Sequence, residues 1–242
     1  MRSLLLKEWY LIRSQKLIAA SMAVFVILGA VMTTVRPDVG AALCVLAMFY
    51  LSSLSLSLEY KYSGERFLSA LPIRRADLAL GKFIFLLLAS GVLVLAGLAV
   101  SGLYAVAVAA FAETAHGYFR SSGIAYAPFP LGALSMAAAF GLVVGSAAYT
   151  AYFFLGYRKY RLFTLIPVVV AFSGYGAWSA ATGRPKALAA PVAELAGRPG
   201  AVAAIIAAAL SLWALGALAS GWALARRDLS LPLGDAAQRA AD

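Results

Sequence analysis

Cysteine and histidine are almost missing from this chain, and charge of either sign is scarce. One cysteine and one histidine occur in 242 residues. A single Cys excludes an internal disulfide framework and any Cys-based metal site. Cys44 lies in an apolar run, where it reads as a small buried or lipid-facing residue. His116 has no second ligand nearby in sequence and reads as an ordinary solvated histidine. HExxH, GxSxG and CxxC are absent, so hydrolytic and metal chemistry has no visible apparatus. GxxxxGK[ST] is absent as well, because "ALGKF" around Lys82 lacks the upstream Gly and the following hydroxyl. The chain cannot cradle ATP by itself.

What is present is oil. Hydrophobic residues make up 63% and charged residues 12%, where soluble domains carry about 45–50% and about 25%. Mean hydropathy is +0.88. Six apolar runs are long enough to span a bilayer: 17–35, 40–58, 83–111, 131–155, 162–182 and 201–225. None contains Asp, Glu, Lys, Arg or His. These predict an all-α membrane protein with six transmembrane helices in one domain, 1–242. The third run, roughly 43 Å at 1.5 Å per residue, must tilt or let one end leave the hydrocarbon. The stretch 1–16 is long for the charged region of a signal peptide and 17–35 long for its apolar core, so the start reads as uncleaved.

The net charge of +10 forms no single patch, which argues against nucleic acid. Its clusters set orientation instead. With the N-terminus in the cytoplasm, the inner segments hold Arg2, Lys7, Arg13, Lys16, Lys61, Arg66, Arg74, Arg75, Lys82, Arg158, Lys159, Arg161, Arg226, Arg227 and Arg239. The outer ones hold Arg36, Arg120, Arg184, Lys186 and Arg198. Both termini are therefore expected to be cytoplasmic. Residues 1–16 place Leu4, Leu5 and Trp9 near one side, as in a helix lying in the membrane interface; continuation of the first span is the alternative. The outer loop 183–200 has room for a short helix at Pro191–Leu195. Ala137, Gly141 and Gly145 in the fourth run, and Ala217, Gly221 and Ala225 in the sixth, have the four-residue spacing of close helix packing.

The second run is the most polar inside. "YLSSLSLSL" sets Ser53 and Ser57 on one face, and the fifth run adds Ser173, Tyr175 and Ser179. Such hydroxyls either bond their own backbone or line a translocation path, for which Ser53, Ser57, Ser173 and Tyr175 are the candidates. The lack of intramembrane ionisable groups weighs against an ion-coupled secondary transporter, although sodium sites can be built from carbonyls and hydroxyls.

One segment remains unexplained by topology. "GERFLSALPIRRADLALGK" (64–82) is charged, two-signed and broken by Pro72. A merely topogenic loop needs positive charge alone, which leaves Glu65, Asp77 and the Phe67–Leu68 pair without a purpose. Pro72 lacks an N–H and restricts Leu71, so it can separate a short helix at 65–70 from the next span.

With its six spans and cytoplasmic termini, the chain resembles the membrane subunit of a type-2 ABC exporter. The local likeness is to a bacterial subfamily of small permeases, at Glu59, Lys61, Glu65, Phe67, Leu68, Ala70, Leu71, Pro72, Ile73, Arg75 and Lys82. Ser220, Arg227, Asp228 and Leu229 resemble that subfamily's last span ending. Arg74 departs from a usual small hydroxyl, and Gly64 from a frequent aromatic. The resemblance implies a multi-pass subunit in a bacterial plasma (inner) membrane. It further implies a second permease, identical or homologous, and two separate ATPase subunits that bind ATP-Mg. This chain would hold no cofactor and carry out no hydrolysis. The loop 59–82 would be the coupling element, with Glu65, Arg66, Phe67, Leu68, Leu71, Pro72, Arg74 and Arg75 at the ATPase interface. Cargo of the peptide or amphipathic toxic class is the expectation by analogy. A secondary transporter and a non-transporting membrane scaffold are the competing classes.

Overall fold

The computed structural model describes residues 16–35, 37–61, 75–111, 130–182 and 194–226, together with Leu6. For some of these, 161–182 among them, it describes the helical backbone alone. Five helical elements follow in order: α1 (Lys16–Val35), α2 (Pro37–Lys61), α3 (Arg75–Ala110), α4 (Leu131–Thr182) and α5 (Pro199–Ala225). A break at Gly156 divides α4 into two limbs, which makes six long helical segments among the described residues. No strand occurs among the described residues.

Local chemistry places several of these boundaries. Pro37 and Pro199 open α2 and α5, where a missing N–H costs nothing and a fixed φ suits the first turn. Asp77 in the first turn of α3 faces the positive end of that helix's dipole. Gly156 has φ 77° and ψ 166°, an extended backbone of positive φ that is essentially reserved for glycine and that a side chain would strain by about 2 kcal/mol. The expected inner loop at 156–161 is thereby reduced to one glycine break, after which the helix resumes.

Helices run past the apolar boundaries at both ends of the connection between α2 and α3. The second span was expected over 40–58, but α2 continues to Lys61; the third was expected from 83, but α3 begins at Arg75. Hydropathy marks where the oil stops, not where helical hydrogen bonding stops. The sequence "RADLALGK" is rich in good helix formers, so its helix continues outside the apolar run. At 36 residues α3 is roughly 54 Å long, well beyond a hydrocarbon core of about 30 Å. Its charged first turns therefore have length to spare.

Packing centres on the first limb of α4, which touches α2, α3 and α5. The small residues expected to permit close approach do so here. A Cβ on Gly141 would stand 2.7 Å from Met48 of α2, and one on Gly145 would stand 2.7 Å from Leu86 of α3. Ala137, one turn before Gly141, is fully buried. In α5 the same spacing carries less constraint, since a Cβ on Gly221 would meet Ala76 at an ordinary 3.6 Å. Ser101 of α3 donates to the Ala30 carbonyl of α1 at 3.3 Å. By contrast, α2 and α3 touch one another over very little of their length.

Four helices are long and apolar enough to cross a membrane: Val39–Tyr60, Ala76–Ala110, Leu131–Gly156 and Pro199–Ala225. Ala23–Thr34 in α1 is a shorter apolar helix among the described residues. Their outer faces are oil: Val92, Leu95, Leu103 and Val106 on α3, and Leu212, Leu215, Leu218 and Trp222 on α5, are all exposed. Water would not tolerate so large a surface on a monomer, but lipid does, provided backbone groups are paired within each helix. This is an all-α membrane protein.

The expected interfacial helix over 1–16 lies outside the described residues, apart from Leu6 and Lys16. So do 112–129, with His116, and the C-terminal stretch 227–242. Glu194 and Leu195 belong to a short helical turn just before α5, where Arg198 pairs with Glu194.

Candidate functional site

Positions separated by three and four residues share a helix face. Along α2, Met48, Ser52, Ser55 and Glu59 follow that spacing, and all are buried. A carboxylate at the end of such a stripe needs a partner, because an unpaired buried charge costs several kcal/mol. The partner comes from α3. Lys82 Nζ lies 2.7 Å from Glu59 Oε2, with side-chain exposures of 6% and 3%. These values decide the character of the pair, since exposed ion pairs contribute about 0–1 kcal/mol while buried ones are strongly coupled to their surroundings.

The ammonium group carries three donors. Besides Glu59, Lys82 donates to Ser55 Oγ at 3.1 Å. Its Nζ also stands 5.7 Å from the centroid of the Tyr149 ring, within cation–π reach. Tyr149 belongs to the first limb of α4, so this one lysine ties α3 to both α2 and α4.

Aromatic side chains close the cluster. Phe83 meets Tyr149 edge-on at 5.7 Å, and the Phe83 carbonyl accepts a 2.8 Å hydrogen bond from Trp213 Nε1 of α5. On the other side Tyr152 and Tyr160 meet edge-on at 5.9 Å. Those two tyrosines flank the Gly156 break, which folds the start of the second limb back toward α2. There the Tyr160 hydroxyl donates to Ser53 Oγ at 3.1 Å. The ion pair thus sits where α2, α3, α4 and α5 are tied by side chains. Among the described residues no group of three His, Cys, Asp or Glu is placed to hold a metal.

A family model described as "ABC-2 family transporter protein" matches residues 3–214. The chain belongs to that family. It is therefore a multi-pass membrane permease, the transmembrane subunit of an ABC transporter that works with an ABC ATPase. Comparison with curated proteins and with solved structures gives no match.

In the permease, Glu65, Arg66, Phe67, Leu68, Leu71, Pro72 and Arg74 lie outside the described residues, and Arg75 is the first residue of α3. Ser57 donates back to the Ser53 carbonyl at 2.8 Å, the backbone-bonded arrangement that the sequence left open. Ser53 faces Tyr160 in partly buried packing between α2 and α4. Ser173 and Tyr175 lie on the helical path of the second α4 limb, and their side chains lie outside the described residues. In the sequence Glu59 stands out only within the loop motif, and Lys82 only there and among the inner-segment charges; no motif singles out Ser55, Tyr149 or Tyr160. The usable signal was the Ser52–Ser55–Glu59 stripe, whose spacing puts hydroxyls and a carboxylate on one face.

Proposed function

We propose that this permease is one half of the membrane part of an ATP-driven exporter, coupled to a separate ABC ATPase through the loop 59–82, in which residues 62–74 form the connection between α2 and α3. The reading is carried by the family match over residues 3–214, which includes this connection. It is supported by the two stems of the connection, whose buried charges Glu59 and Lys82 hold α2 and α3 together at its root. Phe67, Leu68 and Leu71 would fill an apolar notch in the ATPase, while Glu65, Arg66, Arg74 and Arg75 pair with its charges. Two ATPase chains and a second permease, identical or homologous, would complete the assembly. The termini and the 62–74 connection would face the cytoplasm of a bacterium, with cargo of the peptide or amphipathic toxic class leaving across the plasma membrane.

The test is purification of the tagged permease from membranes of its native host in mild detergent. An ABC ATPase should co-purify, and ATP hydrolysis should follow that chain alone. Replacing Phe67 and Leu68 together by Ala removes two apolar anchors, each typically contributing about 2 kcal/mol or more when buried at an interface. Retention of the ATPase should drop while permease abundance stays normal. Unchanged retention by that double variant would refute the docking role, and gradient-driven flux without any ATPase would refute the exporter reading.

A further inference from the structure

Resting on that reading, we propose that the Glu59–Lys82 ion pair is a positioning device that makes the two stems of the 62–74 connection move as one body. The observation behind it is the contrast between helices. Each of α2 and α3 packs extensively on α4, yet they scarcely touch each other. Between them the 2.7 Å ion pair and the Lys82–Ser55 hydrogen bond are direct links, and both are shielded from water. A push applied to the connection arrives at two helix ends. Apolar contact with α4 is non-directional and resists sliding weakly, whereas a charge-assisted bond of this length has a fixed geometry. With the pair intact, α2 and α3 are displaced together against α4. Without it, each stem yields separately and the displacement is absorbed at the root.

The pair lies at different depths on its two helices. Glu59 is near the end of α2, while α3 begins at Arg75, about two turns before Lys82. The first turns of α3 therefore reach beyond the pair and lie along the end of α5, with Ala76 beside Gly221. This gives the α3 stem a lever arm of roughly 10 Å, pivoting at Lys82. Tyr149 and the Trp213 bond to Phe83 hold that pivot in place.

The experiment uses the permease with its co-purified ATPase in lipid nanodiscs, in a Cys44→Ser background. Spin labels go on Tyr60 and Ala76, which are exposed at the two stems. The matched pair of changes is Glu59→Met with Lys82→Met, which removes both charges together, and the exchanged pair is Glu59→Lys with Lys82→Glu. In the unaltered pair the distance between labels should be narrow, and equally so with and without ATP-Mg and vanadate. The double Met variant, at normal abundance and with the ATPase retained, should show a broadened distance and lose permease-dependent ATP hydrolysis. The exchanged pair should restore both in part. A narrow distance and full hydrolysis in the double Met variant would overturn the positioning role and leave ATPase docking intact. Failure of the wild-type permease to retain any ATPase would overturn the docking reading and this inference with it.

Discussion

Removing Lys82 alone should damage this protein far more than removing Lys82 and Glu59 together. Lys82→Met keeps most of the side-chain length and deletes the ammonium. Lost with it are the ion pair to Glu59, the hydrogen bond to Ser55 and the contact with the Tyr149 ring. More damaging than the loss is what stays behind, a carboxylate with 3% exposure that has lost the ammonium 2.7 Å away. Breaking a buried pair in this way typically costs about 3–5 kcal/mol, whereas replacing both partners by apolar groups is often neutral. For a chain of this size a loss of 1 kcal/mol moves Tm by roughly 2–4 °C, so Lys82→Met should lower it by about 10 °C. Glu59→Met should act similarly, leaving a buried ammonium. The double variant should return to within about 1–2 kcal/mol of the starting protein. Thermal loss of the monodisperse peak in detergent, followed by fluorescence-detected size exclusion, reads all four corners of the cycle. If the single and double changes are equally mild, the pair is not the buried, mutually dependent unit described above.

Other outcomes follow from specific contacts. Gly156→Ala forces a side chain into a φ of 77° and should cost about 2 kcal/mol, seen as a lower Tm; no change would mean that the break relaxes without strain. Gly141→Leu should overpack the α2–α4 contact by about 1–3 kcal/mol, and Met48→Ala, which empties the facing position, should recover part of it in the same assay. Tyr160→Phe should cost about 0.5–1.5 kcal/mol by removing the hydroxyl that reaches Ser53. In a Cys44→Ser background, cysteines at 116 and 194 should react with an impermeant reagent added outside, and cysteines at 66 and 159 should not. The opposite pattern would invert the topology.

Much of the fold could be read in advance because membrane spans announce themselves. A run without ionisable groups must be helical across lipid, since only a helix pairs its own backbone there. The small residues at 137, 141 and 145 were legible for a similar reason, as close approach requires them whatever the partner. Helix ends were less legible. The segments "EYK" and "RADLALGK" carry charge, and charge at a span boundary reads as loop, although nothing in those residues stops a helix. Least legible was the ion pair. Glu59 and Lys82 are separated by the whole connection, and their opposite signs become complementary only when α4 brings both stems to one side. Likewise, Ser53 and Ser57 stand out in the sequence by their spacing as readily as Ser55 does. Choosing between those stripes requires knowing which one faces α3.

The sparse contact between α2 and α3 bears on how such proteins diversify. Since Glu59 and Lys82 fix the separation of the stems from outside the 62–74 connection, that connection begins and ends at two points it does not itself determine. Entropy of loop closure grows slowly, by about 0.6 kcal/mol for each doubling of length. Insertions, deletions and wholesale replacement between the stems are therefore cheap for the bundle. The same helical body can be matched to differently shaped partners by rewriting a short cassette, while the residues that hold its two ends together stay where they are.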